Sequence, residues 1–280
     1  MKVLTINVHG WLEEDSYQKI KKLAAVIAKK DYEIVALQEV NQLMENEKVS
    51  HPYFIQSQNE VNNIPLKEEN YVDVLIQELE TLGKQYYWSW SANHIGYDKY
   101  DEGLSILSKN RQVAETITVS NTTDYDSIAT RNVLQATVEI RGEEWTVLNG
   151  HFSWWKDDND NLIFKNEWDK MRKHLKNINK DRLIFMGDFN NEADISGKGY
   201  DYLLEKSPYL VDAYTIADKK TGHATMSAGI DGWEDATTSK RIDLIFVSEK
   251  IEVEESNVIF DGINEMVISD HFGVEAIIKK

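Results

Sequence analysis

Cysteine is absent from this chain of 280 residues, and basic residues are outnumbered by acidic ones. Without cysteine there is no disulfide framework, thiolate zinc site, iron–sulfur cluster or cysteine nucleophile, so any metal must be held by oxygen or imidazole groups. The 31 Lys and Arg against 48 Asp and Glu give a net charge of −17. Nucleic-acid binding draws most of its affinity from cations that neutralise phosphates, so this charge disfavours a nucleic acid as partner.

Long apolar runs are also missing. No stretch approaches the roughly 20 apolar residues of a membrane span. Residues 1–9 alternate like a strand and lack the apolar segment of a secretory signal. We therefore expect a soluble, cytoplasmic protein without stable membrane association. The 41% of hydrophobic residues nevertheless suffice for a substantial core.

Strand-like runs alternate with amphipathic helices along most of the chain, which predicts a layered α/β or α+β fold. Ser16 is placed to cap a helix, and the apolar run 33–37 indicates a buried strand. Residues 41–70 are polar, contain two of the three prolines and are predicted to form a surface excursion. No Gly/Ser linker or repeat divides the chain, so residues 1–280 are expected to form one domain.

Polar residues recur where apolar strands end, a place where catalytic sites are often built. The strongest such motif is Gly187-Asp188-Phe189-Asn190, directly after the strand 183–186. Asp188 and Asn190 can face the same way because they are two residues apart, although an Asx turn explains the pattern equally well. Near the C-terminus, Asp270 stands beside His271, a combination suited to proton transfer near neutral pH.

Four more strands carry potentially catalytic side chains: Asn7, Glu39, Asn149-Gly150-His151 and Arg241-Ile242-Asp243. Each has a plain structural alternative. Arg241 and Asp243 could form an ordinary salt bridge, because charges at the mouth of a buried strand need partners. Asn7 could be a satisfied polar group inside the first strand.

Taken in order, these motifs resemble the endonuclease/exonuclease/phosphatase superfamily, which includes deoxyribonuclease I, AP endonucleases, neutral sphingomyelinases and inositol polyphosphate 5-phosphatases. The resemblance runs from Asn7 to His271, and the Gly-Asp-Phe-Asn and Ser-Asp-His motifs are its most specific parts. It implies a four-layered α/β/β/α sandwich of two packed mixed β-sheets flanked by helices. The opening Asn7-Val8-His9-Gly10-Trp11 is also similar to a cytosolic Firmicute branch that includes maltose 6′-phosphate phosphatases.

The resemblance further implies a divalent metal at one edge of the sandwich, usually Mg²⁺, with Mn²⁺ also suited to oxygen ligands. Glu39 would be the principal metal ligand, assisted by Asn7 and Asp270. Asp188 and Asn190 would position the attacking water and the phosphate.

The same resemblance assigns the histidines and the phosphate donors, but it offers no match for the active-site tyrosine of some members. Each histidine would be paired with an acid that holds its tautomer and favours its charged form. The assignments are His271 with Asp243, His151 with Glu102, and Asn149 and Arg131 as donors to phosphate oxygens.

The loops outside the catalytic motifs indicate which class of substrate the site binds. The loops at 156–160 and 231–235 are acidic, which disfavours DNA. Trp154 and Trp155 follow His151 and suit stacking on a sugar ring, although packing would explain them as well. We therefore expect a metal-dependent phosphatase acting on a sugar phosphate or a similar small phosphoester. The alternatives are a phosphodiesterase of nucleic acid or of a phospholipid headgroup, as in nucleases and sphingomyelinases, and a catalytically silent binding protein.

Overall fold

Residues 1–279, which the computed structural model describes, form thirteen strands and five helices. The strands are β1 (Lys2–Asn7), β2 (Ile34–Leu43), β3 (Tyr87–Gly96), β4 (Tyr100–Ser108), β5 (Gln112–Thr118), β6 (Asn132–Ile140), β7 (Glu143–His151), β8 (Leu183–Asp188), β9 (Leu210–Asp212), β10 (Lys219–Thr221), β11 (Asp243–Ser248), β12 (Val253–Ile259) and β13 (Gly273–Ile278). The helices are α1 (Ser16–Lys30), α2 (Tyr71–Thr81), α3 (Ile163–Leu175), α4 (Gly199–Lys206) and α5 (Ala213–Ile216). Among the described residues, no helix combines the length and apolar character needed to cross a membrane.

The strands form two mixed sheets that pack face to face. The first sheet has the order β10-β12-β13-β1-β2-β4-β3, and the second has the order β5-β6-β7-β8-β11-β9. One apolar cluster fills the space between the sheets, a second lies under α1 and α2, and a third lies under α3 and α4. The predicted four-layered α/β/β/α sandwich is therefore confirmed.

Strands with apolar residues on both faces explain why the sequence shows continuous apolar runs. In β8, Ile184 and Met186 join the core between the sheets, while Leu183 and Phe185 join the core under α3. Because side chains alternate along a strand, a run without polar residues is what burial on both faces requires.

Two local predictions need correction. Ser16 is the first residue of α1 rather than its cap, and its hydroxyl donates to the Glu13 carbonyl instead. The excursion was predicted to begin at residue 41, but β2 continues to Leu43, and Asn41 and Gln42 are fully buried. The polar composition of this stretch was misleading because buried amides can be satisfied by internal hydrogen bonds, as Gln42 is by the Pro65 carbonyl and the Lys67 backbone N–H.

Candidate active site

Polar residues from both sheets meet at one edge of the sandwich. Asn7 ends β1 of the first sheet, and Asp188 ends β8 of the second. The Asn7 Nδ2 donates to Glu39 Oε1 at 2.7 Å and to Asp188 Oδ2 at 3.2 Å. Asn7 thus joins the carboxylates of the two sheets in one network.

Glu39 lies at an irregularity of β2, where the pairing with β4 shifts between Leu37 and Val40. Its φ of 51° is in the left-handed region that non-glycine residues seldom adopt, and such a bulge re-aims a side chain. Burial raises the pKa of the Glu39 carboxyl, while His9 and the Asn7 amide oppose that rise. A half-buried carboxylate at the wall of a cleft would be stabilised by a cation.

Asp188 stands beside His151 because β7 and β8 pair in parallel, with His151 opposite Asp188. The two strands approach closely at Gly150 and Gly187. The φ of Gly187 is 142°, and a Cβ there would lie 2.0 Å from the Gly150 carbonyl oxygen. Any residue with a Cβ would push the strands apart at this point, which explains why the motif has glycine at position 187. The Asx turn is also present, since the Asn190 backbone N–H donates to Asp188 Oδ1 at 2.9 Å.

His271 lies between two carboxylates, with Nδ1 2.9 Å from Asp243 Oδ2 and Nε2 3.8 Å from Asp188 Oδ2. A carboxylate can only accept, so Nδ1 carries a proton. Burial alone would lower the pKa of His271, but the charges of Asp243 and Asp188 outweigh it and raise that pKa well above its usual value. Arg241 pairs with Asp212 at 2.8 Å, which leaves Asp243 to His271.

Asp188 is poised to accept a proton. The register of β8 and β11 sets Asp243 opposite Asp188. Burial, and then the charge of Asp243, raise the pKa of Asp188 to about 7 against the opposing charge of His271. A general base works best when its pKa lies near the working pH, and Asp188 meets that condition.

The predicted pairing of His151 with Glu102 is wrong. The Nε2 of His151 is 3.6 Å from Asp188 Oδ2, whereas Glu102 Oε1 lies 3.4 Å from His94 Nε2. The reason is topological, because His94 on β3 is opposite Glu102 on β4, while His151 is on the other sheet. Burial, and then repulsion by Arg131, hold the pKa of His151 well below its usual value, so this ring is neutral.

Arg131 offers unpaired donors to the cleft. Its side chain is 6% exposed, and its Nε and Nη1 have no hydrogen-bond partner. Glu102 lines the same cleft, but burial and the charge of Glu39 raise its pKa to about 8, so it carries little negative charge near neutral pH. A buried guanidinium without a partner is costly, and phosphate oxygens match its fork of donors.

Asn149 does not bind substrate in this arrangement, which corrects the prediction. The side chain is fully buried, and its Nδ2 donates to the carbonyls of Leu37 and Ser105 at 2.8 and 2.9 Å. Its Oδ1 accepts from Gln38 Nε2 at 2.6 Å. Asn149 on β7 therefore fastens the second sheet to β2 and β4 of the first.

We expect Asn149→Leu to lower the free energy of unfolding by about 3 kcal/mol, because two carbonyls and one amide would lose buried partners. Urea denaturation measures this change. The KM of the folded fraction should stay unchanged; a raised KM with unaltered stability would return Asn149 to phosphate binding.

The site residues surround a cleft of about 320 Å³ that continues into a wider groove of about 1010 Å³. Trp154 is 37% exposed and lines both spaces, as does Trp233. Trp155 lines only the groove and packs on Phe164 and Tyr202, with ring centroids 6.5 and 5.8 Å away. Trp154 therefore belongs to the wall of the cleft, whereas Trp155 is part of the packing over the second sheet.

The donor set fits a hard divalent cation. Glu39 and Asp270 line the cleft with carboxylate oxygens, which such ions prefer. Asn7 is fully buried behind them, and its Oδ1 accepts a hydrogen bond from the His9 backbone N–H at 3.1 Å. Because that oxygen is already used and the Nδ2 donates to Glu39, Asn7 orients Glu39 and does not face the cleft. Among the described residues, two groups of histidine and carboxylate atoms are close enough to hold an ion: His9, Glu13 and Asp270, and Asp188, Asp243 and His271.

Several residues of the site were not anticipated from the sequence. His9 Nδ1 lies 2.9 Å from Glu13 Oε1 and 3.7 Å from Asp270 Oδ1. Burial alone would lower the pKa of His9, but Glu13, Glu39 and Asp270 outweigh it and raise the pKa to about 9. The position of His9 two residues after Asn7 on the first strand was the signal that could have found it.

Tyr97 is a tyrosine at the site for which the sequence motifs offered no match. It lies in the turn between β3 and β4, lines the cleft and donates a hydrogen bond to Asp231. No sequence pattern points to this residue, because the turn reaches the cleft only through the pairing of β4 with β2.

Comparisons with known proteins agree with this geometry. A structure of an endonuclease/exonuclease/phosphatase family protein from Leptotrichia buccalis C-1013-b is 32% identical, with a TM-score of 0.85 and full coverage of both chains. A Bacteroides thetaiotaomicron VPI-5482 mannosyl-6-phosphatase is 18% identical, with a TM-score of 0.70 over 100% of both chains. The D. rerio TDP2 complexed with single strand DNA product is 16% identical, with a TM-score of 0.66 over 100% of this chain and 99% of that one. At these two lower identities the likeness concerns the fold.

A comparison with curated proteins found no match. The sequence profile of the Endonuclease/Exonuclease/phosphatase family matches residues 4–271, which include all the cleft residues described above. The chain belongs to the endonuclease/exonuclease/phosphatase family.

Proposed function

We propose that this protein is a Mg²⁺-dependent phosphatase that hydrolyses the phosphate ester of a sugar or of a similar small polar molecule, and that Mn²⁺ can replace Mg²⁺. The observation that carries the proposal is the charge of the cleft wall. Arg131 is the only Lys or Arg among its described lining residues, which otherwise include carboxylates, histidines and two indole rings. Such a wall can hold one phosphate but offers no row of cations for a polynucleotide backbone.

The groove supports the same choice. Its lysines are partly neutralised, since Lys240 pairs with Glu192 and Lys156 with Asp160, both at 2.8 Å. Tryptophan faces flanked by carboxylates and amides suit the faces and hydroxyls of a sugar. A mannosyl-6-phosphatase shares the fold, so a phosphorylated sugar is compatible with this scaffold.

The proposed hydrolysis needs positioning and charge neutralisation more than covalent help. Asp188 accepts a proton from the attacking water, whose oxygen bonds to phosphorus as the bond to the sugar oxygen breaks. The leaving sugar oxygen takes up a proton from solvent and becomes a hydroxyl. The imidazolium of His271 and the guanidinium of Arg131 hold positive charge beside the phosphate. A cation held by Glu39 and Asp270 would act as Lewis acid and template for the phosphate.

The substrate test incubates the purified protein with Mg²⁺ and, separately, sugar phosphates, plasmid DNA and sphingomyelin. Phosphate release from sugar phosphates alone supports the proposal. DNA nicking or sphingomyelin cleavage at comparable efficiency would replace it with a phosphodiesterase, which the TDP2 likeness keeps as the second candidate. No turnover of any substrate by a folded protein that binds Mg²⁺ would favour a silent binding protein.

The pH profile of kcat/KM should be bell-shaped. Its acid limb should rise near pH 7, where Asp188 loses its proton, and its alkaline limb should fall well above pH 6.5, where His271 becomes neutral. Asp243→Asn removes a charge that raises both pKa values, so both limbs should move to lower pH, by about one to three pH units for His271. A profile that keeps its position in this variant would contradict the assignment.

Trp154 and Trp155 should respond differently to alanine. Trp154→Ala removes an exposed ring from the cleft and should raise the KM for a sugar phosphate by about tenfold with kcat unchanged. Trp155→Ala removes a packed ring and should lower the free energy of unfolding by about 3 kcal/mol. Steady-state kinetics and urea denaturation of both variants check this, and an unchanged KM in Trp154→Ala would assign that ring to packing.

A further inference from the structure

The two side chains of the His271–Asp243 pair come from different sheets. Asp243 begins β11 of the second sheet, and His271 lies two residues before β13 of the first sheet. The hydrogen bonds of a β-ladder join strands of one sheet, so no ladder sets the distance between these two strands. The His271 Nδ1 nevertheless lies 2.9 Å from Asp243 Oδ2. This distance therefore depends on contacts outside the two ladders.

Thr225 makes such a contact at the start of β11. Its Oγ1 accepts hydrogen bonds from the backbone N–H groups of Ile242 and Asp243, both at 3.0 Å. Among residues 1–279, β9 pairs with β11 only from Phe246 to Ser248, so β9 does not reach Asp243. A hydroxyl oxygen can accept two hydrogen bonds. The Thr225 hydroxyl thus gives these backbone groups the partner that β9 does not supply.

The same residue is bonded to the segment that carries His271. The Thr225 carbonyl accepts a hydrogen bond from the Phe272 backbone N–H at 2.6 Å. Met226, the next residue, forms a β-bridge with His271. Thr225 is only 1% exposed, so water cannot readily replace its bonds. One buried residue therefore joins the backbone at Asp243 to the backbone beside His271.

Thr225 is itself held in place on a third side. Its backbone N–H donates to the Lys240 carbonyl at 2.7 Å, and Met226 and Lys240 exchange backbone hydrogen bonds at 3.2 Å. Thr225 is not one of the described residues that line the cleft. Any effect of Thr225 on the reaction would therefore act through Asp243 and His271 and not through contact with a substrate.

We infer that Thr225 is a positioning residue that holds Asp243 and His271 at their working distance from outside the cleft. The inference rests on the proposed function, in which the His271 side chain acts beside the phosphate. Without the Thr225 hydroxyl, two buried N–H groups lose their partner, and the start of β11 is no longer tied to the segment before β13. Displacement of a catalytic group by about 1 Å can lower a rate by about 10²-fold.

The kinetic test compares two substitutions of Thr225 with p-nitrophenyl phosphate as substrate. Thr225→Val keeps the shape of the side chain but lacks the acceptor, and it should lower kcat/KM at least about tenfold. Thr225→Ser keeps the acceptor and should stay within about threefold of the native value. Equal activity of the two folded variants would overturn the inference. If Thr225→Val does not fold, Thr225→Ala, which also lacks the acceptor, takes its place with the same expected loss.

The matched control is Ser248→Ala, at the other end of β11. It removes a buried hydroxyl that accepts a hydrogen bond from the Leu183 backbone N–H at 3.2 Å. The variant should lower the melting temperature, as Thr225→Val does, because both leave a buried N–H without a partner. Its kcat/KM per folded molecule should stay at the native value. A loss of kcat/KM equal to that of Thr225→Val would reduce the role of Thr225 to general stability and overturn the inference.

A spectroscopic measurement separates this inference from the proposed function. Proton NMR detects the His271 Nδ1–H, because a buried hydrogen bond to Asp243 slows its exchange with water, and His271→Gln identifies the resonance. The proton should exchange at least about tenfold faster in Thr225→Val than in the native chain, Thr225→Ser or Ser248→Ala. If the native chain hydrolyses no phosphate ester, the proposed function fails, and this exchange rate still decides the role of Thr225. An unchanged exchange rate in Thr225→Val, or a native chain without a protected Nδ1–H, would refute it.

Discussion

Asp188→Asn should lower kcat by about 10³-fold while the fold persists, because the amide cannot accept the proton of the attacking water. The same change removes one of two facing carboxylates, and Asp243 is a cause of the raised pKa of Asp188. Relief of that repulsion should keep or raise the melting temperature. Steady-state kinetics with saturating Mg²⁺ and thermal unfolding measure the two effects.

The control for Asp188 is Asp194→Asn, which removes a charge from an exposed carboxylate paired with His223 outside the cleft. It should leave kcat within about twofold of the native value. Near-native turnover by Asp188→Asn would refute the site assignment. A lowered melting temperature with full activity per folded molecule would give Asp188 a structural role.

Glu39→Gln should remove most of the stabilisation that Mg²⁺ is expected to give to the folded protein. At a Mg²⁺ concentration of about 100 times its Kd, the native chain should gain about 2.7 kcal/mol of stability. If the variant binds about 100-fold more weakly, its gain at the same concentration falls to about 0.4 kcal/mol. Turnover at that concentration should fall in parallel, and EDTA should remove it from the native chain.

Without metal, Glu39→Gln should be at least as stable as the native chain, since burial raises the pKa of the Glu39 carboxyl and makes its charge costly. The matched control is Glu167→Gln, which removes a charge from a buried glutamate that is bonded to Ser153 rather than lining the cleft. It should keep the full Mg²⁺-dependent gain. A Mg²⁺ response that survives in Glu39→Gln would move the metal to other residues, with the group of His9, Glu13 and Asp270 the next to test.

Local motifs allowed much of the site to be located from sequence. Asp188 and Asn190 are close because a single turn separates them, whereas the assignment of Asp243 as the acid partner of His271 came from the superfamily resemblance. The predictions failed where a choice depended on which strands are neighbours. The resemblance paired Glu102 with His151 and gave no role to His94, which the pairing of β3 with β4 sets opposite Glu102.

Asn149 and Asn7 show a second limit of the sequence. Alternation along a strand tells which residues share a face, but it does not tell whether that face looks into a cleft or onto the opposite sheet. Asn149 looks onto the first sheet, and its amide is fully used there. Asn7 bridges Glu39 and Asp188, a contact that exists only because the two sheets pack.

The sequence by itself determined the composition of the site: no thiols, an excess of carboxylates, and histidines and amides placed at strand ends. It also indicated a layered fold, because strands that are apolar on both faces must be covered on both sides, and the superfamily resemblance implied that the layers form a four-layered sandwich. Only the tertiary structure decided the protonation of Asp188 and His271 and the unpaired donors of Arg131. Those properties depend on burial and on distances between charges that lie far apart in the chain, and packing of the two sheets is what fixes both.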